Sequence, residues 1–137
     1  MRNILSVLIL VALLMLLGSC EKETPETAVS EESLSGFWIS PEYLDSLIVY
    51  QKADDFNDGP GYEFKIGGSM IERKNAGGCG TPPITYDNYN GTYELLPDGN
   101  LEVVSPYWGG IIRTRYQIIS INQRKLTLRF IESGEAK

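Results

Sequence analysis

From Gly36 onward apolar and polar residues alternate with a period near two, the period of a β-strand that buries one face. Phe37-Trp38-Ile39 opens the series and Leu47-Ile48-Val49-Tyr50 follows. Tyr62, Phe64 and Ile66 alternate with Glu63 and Lys65, and Gly67-Gly68 then predicts a tight reversal into Ser69-Met70-Ile71-Glu72-Arg73. Gly91 to Leu96, the turn Pro97-Asp98-Gly99-Asn100, and Leu101 to Val104 form a second hairpin. Ile111 to Ile119 predicts a long strand with Ile112, Tyr116 and Ile118 on one face, and Leu126, Leu128 and Phe130 set the inward face of the last. Pro41 to Ser46 alone reads as a single helical turn. The pattern therefore predicts an all-β domain over residues 36–132, with residues 133–137 as a tail. About eight strands joined by short turns favour an antiparallel up-and-down barrel, because closure removes both sheet edges. A barrel of eight strands has an interior that side chains fill, or that holds one small ligand.

The segment before this domain has a different character. Arg2 is followed by an apolar run from Ile4 to Leu17, interrupted only by Ser6, and then by Gly18-Ser19-Cys20. The run is short for a membrane span, which needs roughly 20 residues, and its layout is that of a secretory signal. Leu17-Gly18-Ser19-Cys20 resembles the lipobox of bacterial lipoproteins. The resemblance implies that residues 1–19 are removed, that Cys20 is acylated on its thiol and new amino group, and that the protein is anchored in the outer membrane of a diderm bacterium, on its periplasmic or surface face. Each buried lipid methylene contributes about 0.8 kcal/mol, so two or three chains hold firmly.

Glu21 to Ser35 (EKETPETAVSEESLS) is acidic and poor in large apolar side chains, so residues 20–35 are expected to form a lipidated, disordered tether. About 15 such residues reach roughly 20 Å as a random coil. Glu21-Lys22-Glu23 is similar to short acidic export signals for the cell surface, and a solvated tether accounts for it equally well.

The chain carries 12 basic and 18 acidic residues, net −6, and becomes one unit more negative when Arg2 leaves with the leader. That balance and the absence of a basic stripe argue against a nucleic-acid partner. Histidine is absent, which removes Ser-His-Asp and Cys-His catalysis and the usual neutral-pH base. With Cys20 lipidated, Cys79 has no disulfide partner, and neither a paired-thiolate zinc site nor any cofactor is expected.

Gly36-Phe37-Trp38, placed ahead of a full set of strands, resembles the Gly-x-Trp signature that opens the first strand of lipocalins. The resemblance covers Ser35 to Glu132 and points to smaller lipocalin-like domains. It implies that Trp38 closes one end of the barrel and that an arginine near the last strand, here Arg129, packs across it. Alternation aims Arg129 outward, so that pairing requires a bend or an approach over the barrel end.

Other segments offer candidate chemistry. Asn75 to Asn90 is the longest irregular stretch, and long loops more often carry function. Within it Cys79 has only Arg73 and Lys74 nearby in sequence to activate it, so a packed or merely exposed thiol is expected. Tyr107 and Trp108 sit in a strand connection that shares one barrel end with Tyr86 and Tyr89, and the four are the candidate ligand-binding residues. Aromatic rims suit sugar rings or lipophilic ligands. The competing placement folds Trp108 inward as a lid. Asp54 to Gly59 has the look of a calcium loop, but Phe56 and Lys65 stand where an EF-hand needs oxygen ligands, which leaves a polar hairpin loop and no metal. Asn90-Gly91-Thr92 matches a glycosylation acceptor, which carries little meaning in a bacterial protein.

Together these features predict a non-catalytic, lipid-anchored binding domain for a small apolar or glycan-like ligand. The alternative is a structural or protein-interaction lipoprotein, an inhibitor or accessory subunit with an envelope protein partner. An enzyme ranks behind both, since no nucleophile motif or carboxylate pair is evident.

Overall fold

The computed structural model describes residues 29–77 and 82–137, so the leader, Cys20, Glu21-Lys22-Glu23 and Cys79 lie outside the described residues. Eight strands close into an antiparallel barrel: β1 (Gly36–Leu44), β2 (Leu47–Ala53), β3 (Gly61–Phe64), β4 (Ser69–Asn75), β5 (Tyr86–Leu95), β6 (Asn100–Tyr107), β7 (Gly110–Ile121) and β8 (Lys125–Glu135). The alternating pattern is the cause. Met70 on β4, Tyr93 on β5, Leu101 and Val103 on β6, and Leu126 and Leu128 on β8 all point inward and are buried. The strands extend beyond their sequence signals at several ends. β5 starts at Tyr86, which shortens the irregular stretch after Asn75, and β8 runs to Glu135 through most of the expected tail.

Around the barrel the order is β1-β2-β8-β7-β6-β5-β4-β3. Strands β3 to β8 are a continuous meander, and the β1–β2 hairpin is inserted between its two ends, with β1 on β3 and β2 on β8. Because β2 and β3 do not pair, residues 54–60 form no hairpin, contrary to the expectation for Asp54 to Gly59. They strap across the outside of β1. Phe56 packs edge-on against the outward-facing Phe37 at 5.1 Å, and the Asn57 amide donates to Ser40 Oγ at 2.9 Å.

β1 is also not helical at Pro41 to Ser46. It continues as strand to Leu44 through a bulge, where the register with β2 shifts between Ile39 and Glu42 and Ser40 adopts a positive φ of 52°. Proline at residue 41 lacks an N–H for the ladder, and a bulge is where strands accommodate that loss. β1 pairs with β3 only as far as Ile39. Beyond the bulge its tip pairs with β2 alone.

One end of the barrel is plugged. Ser30 caps a four-residue helix, α1 (Glu31–Leu34), in a capping box with Ser33, so part of the stretch expected as tether is ordered. Leu34, the single large apolar residue between Val29 and Phe37, is fully buried, and its carbonyl accepts a hydrogen bond from Trp38 Nε1 at 2.6 Å. Glu31 accepts from the Gly67 N–H at 2.8 Å, which ties α1 to the β3–β4 turn. Trp38 is itself fully buried and closes this end.

The cation over its ring is Lys52, with Nζ 4.2 Å from the centroid, and not Arg129. Trp38 is level with Lys52 on β2, whose N–H bonds to the Arg124 carbonyl. Arg129 stands five residues further along β8, roughly 16 Å away, exposed, and donates to Gln117 at 3.2 Å.

Above the plug the core is a continuous packing of Phe64, Met70, Leu101, Leu126 and Leu128. Ile66 and Phe130, expected inside, are 68% and 51% exposed. Ile66 lies just past the end of β3, and Phe130 lies where β8 has passed the end of β2. Gly91 faces inward on β5 where a Cβ would strike the Val104 carbonyl and crowd Met70, so no larger residue fits without moving a strand.

Candidate functional site

The inward positions of the strands change chemistry toward the unplugged end. On β4 the sequence Met70-x-Glu72-x-Lys74 sends one apolar and then two charged side chains to the interior, and on β6 Leu101-x-Val103-x-Ser105-x-Tyr107 turns from apolar to polar at the same level. The result is a polar cluster on top of the packed core. Lys74 Nζ meets Glu72 Oε2 at 2.7 Å and Ser105 Oγ at 3.1 Å, and the Ser105 hydroxyl donates to the same carboxylate oxygen. Tyr62 OH donates to Glu72 Oε1 at 3.3 Å and lies 3.4 Å from Tyr116 OH.

The charged side chains are only 18% and 25% exposed for Glu72 and Lys74. They persist there because each is neutralised by the other and the carboxylate is saturated with donors. Burial raises the pKa of the Tyr50, Tyr62 and Tyr116 phenols above the ordinary tyrosine value, and neighbouring phenols and Glu72 add to it. These hydroxyls are therefore neutral hydrogen-bonding groups at any physiological pH. Tyr50, Tyr62, Phe64 and Tyr93 form a row of ring contacts below, tilted, stacked and edge-on in turn, with successive centroids 5.6, 5.4 and 5.0 Å apart.

Above this floor lies a cavity of about 390 Å³. Val103, Ile112, Thr114 and Tyr116 form its inner wall, Asn75, Ala76 and Gly77 one lip, and Tyr89, Tyr107 and Trp108 the aromatic side. Trp108 sits on the β6–β7 turn and is 96% exposed, so it is not an inward lid. Its ring meets Tyr107 edge-on at 5.9 Å, and Tyr107 is held by a 3.0 Å hydrogen bond to Glu135, which also raises its pKa. Lys74 Nζ lies 5.3 Å from the Tyr89 ring centroid.

Three of the four aromatic residues expected at a shared end thus line one cavity. Tyr86 does not. It lies three positions before Tyr89 on β5, and an odd separation along a strand sends the two side chains to opposite faces. Sequence reasoning missed Glu72, Lys74 and Ser105, although their parity with Met70, Leu101 and Val103 carried the signal.

The cluster thus holds a serine beside a lysine and a carboxylate, with Lys74 donating to both Glu72 and Ser105 and Ser105 donating to Glu72. Among the described residues no group of three or more Asp, Glu, His or Cys side chains is assembled to hold a metal ion.

Compared with known proteins, the chain matches no family model, no curated protein and no solved structure.

Proposed function

We infer that this protein is a lipid-anchored envelope lipoprotein whose barrel binds a small, glycan-like ligand at its open end, without catalysis. The carrying observation is the 390 Å³ cavity with an aromatic side and a polar, internally neutralised floor. Its volume falls within the roughly 300–1,000 Å³ of small-molecule sites. The polar floor favours a hydroxyl-rich ring over a purely apolar ligand, which would bury Glu72, Lys74 and Ser105 against hydrocarbon. Trp108, Tyr107 and Tyr89 offer flat faces at low entropic cost.

The anchor and outer-membrane location rest on the lipobox-like Leu17-Gly18-Ser19-Cys20. Labelled palmitate is expected to enter the wild-type protein and not Cys20→Ala, and label in that variant would remove this part of the reading. For the binding site, NMR titration with sugars and with small lipophiles is the test. Shifts are expected to concentrate at Tyr89, Tyr107, Trp108 and Thr114, and shifts confined to the outer face would oppose it.

A second reading has its own observation. Residues 130–135 of β8 pair with β7 but not with β2, and Phe130 and Ile131 there are 51% and 43% exposed. An unpaired edge with apolar side chains is a place for a protein partner to add a strand. A stable protein that co-purifies and is lost on substituting Ile131 with Lys would favour this alternative.

A further inference from the structure

The end cavity has a floor as well as a mouth. Tyr62, Glu72, Lys74 and Tyr116 line it, and they also line a separate depression of about 200 Å³ on their far side. Hydrogen bonds join the four into a partition, with Glu72 accepting from Lys74 and Tyr62 and the Tyr62 and Tyr116 hydroxyls in contact. A ligand therefore enters past the rim, and the part that goes in first stops on this partition. The floor chemistry selects that part. An anion brought to Lys74 meets the Glu72 carboxylate only 2.7 Å from it, and a cation brought to Glu72 meets the ammonium. An alkyl group would desolvate both charges without replacing their water. Two Lys74 protons go to Glu72 and Ser105, and the third has no acceptor among the described residues. The Ser105 oxygen accepts from Lys74 and keeps one further lone pair. A donor beside a lone pair matches a neutral hydroxyl, which both accepts and donates.

The rim has another character. Trp108 lies on the β6–β7 turn beside Tyr107 and is 96% exposed, so its flat face is offered at the mouth and not at the floor. Resting on the binding reading above, we propose that the site recognises the non-reducing end of an uncharged glycan, its terminal ring on the Lys74–Ser105 floor and the next unit against Trp108. The non-reducing end is the one whose ring hydroxyls carry no further linkage, so it brings a full set of them to the floor. A unit inside a chain is substituted on both sides, and the partition leaves its outer neighbour no room. The third and later units pass the tip of the turn into solvent.

The test applies the whole protein, in a detergent without sugar headgroups, to an array of neutral and acidic glycans attached through their reducing ends. Signal is expected from glycans that share one neutral terminal sugar, and is expected to vanish where a further unit caps that sugar. Calorimetry with that sugar as its methyl glycoside, disaccharide and tetrasaccharide then reads the depth of the site. The disaccharide should bind about tenfold tighter than the methyl glycoside, and the tetrasaccharide within about twofold of the disaccharide. Trp108→Ala should weaken the disaccharide by more than it weakens the methyl glycoside. Its side chain is almost fully exposed, so the melting temperature should not move. Affinity that climbs with every added unit, or signal from capped sugars, overturns end recognition while leaving a small-ligand site standing. Tighter binding of acidic termini overturns the neutral floor. No glycan bound, with a lipophile still shifting Tyr89 and Thr114 resonances, overturns the glycan class alone, and neither bound overturns the binding reading as well.

Discussion

Glu72 and Lys74 lie two residues apart on β4, so both side chains enter the barrel, and their charges meet at 2.7 Å on top of a packed aromatic core. This pair marks the level at which the interior stops being core and becomes site. Below it the inward residues are Phe64, Met70, Leu101 and Leu128, and above it polar, aromatic and a few aliphatic side chains line a cavity.

Removing one partner leaves the other half-desolvated and unpaired. Lys74→Met and Glu72→Gln are each expected to destabilise by about 1–3 kcal/mol, below the cost for a fully buried pair because both groups keep some solvent. The double variant should lose less than the sum of the singles. Urea denaturation of the four proteins in a double-mutant cycle measures this coupling, and strict additivity would show that the two charges do not interact.

At the plugged end, Trp38→Ala should cost about 3–5 kcal/mol, since it removes the largest buried side chain and the anchor of Leu34. Lys52→Met keeps the aliphatic stem and loses the cation over the indole, about 0.5–2 kcal/mol, together with the Nζ hydrogen bond to the Ser35 carbonyl. Arg129→Ala should change stability by no more than about 0.5 kcal/mol, as expected of an exposed residue. Thermal melts of the three variants rank these effects, and a larger loss for Arg129→Ala than for Lys52→Met would reverse the assignment of the cation.

Alkaline titration reads the buried tyrosines. Tyr50, Tyr62 and Tyr116 have folded pKa values raised by burial, so the folded state is favoured by their protonated forms. Their contribution is fully present below the unfolded tyrosine pKa of about 10 and is lost as pH rises through the folded values. Phenolate absorbance from Tyr50, Tyr62 and Tyr116 should therefore appear only together with the loss of circular dichroism. Eight phenolates titrating in one step near the ordinary value, with the fold intact, would contradict the burial.

Much of this architecture was legible in the sequence, for a physical reason. A strand that buries one face must alternate, so all eight strands announce themselves between Gly36 and Phe130. What alternation cannot encode is which strands pair. The insertion of the β1–β2 hairpin between β3 and β8 depends on closure of the whole sheet, and Asp54 to Gly59 reads as a hairpin until Phe56 is seen resting on Phe37. The four residues of α1 are too few for a periodic signal, and Leu34 is ordered by the slot it fills rather than by its own propensity.

Other features were within reach of parity alone. Lys52 shares a face with Ile48 and Tyr50, which already aimed it inward where Arg129 was aimed outward. Glu72, Lys74 and Ser105 share faces with core residues in the same way. Tyr86 fails the same rule that Tyr89 satisfies.

Native mass spectrometry of the protein released gently from its own cells tests most directly whether the open end holds a small molecule. Wild-type protein is expected to carry a discrete small-molecule adduct, and Thr114→Trp, which fills the cavity from its inner wall, should lose the adduct while retaining the circular dichroism spectrum of the barrel. An adduct that persists in the filled variant, or wild-type protein that never carries or acquires one, would contradict the account.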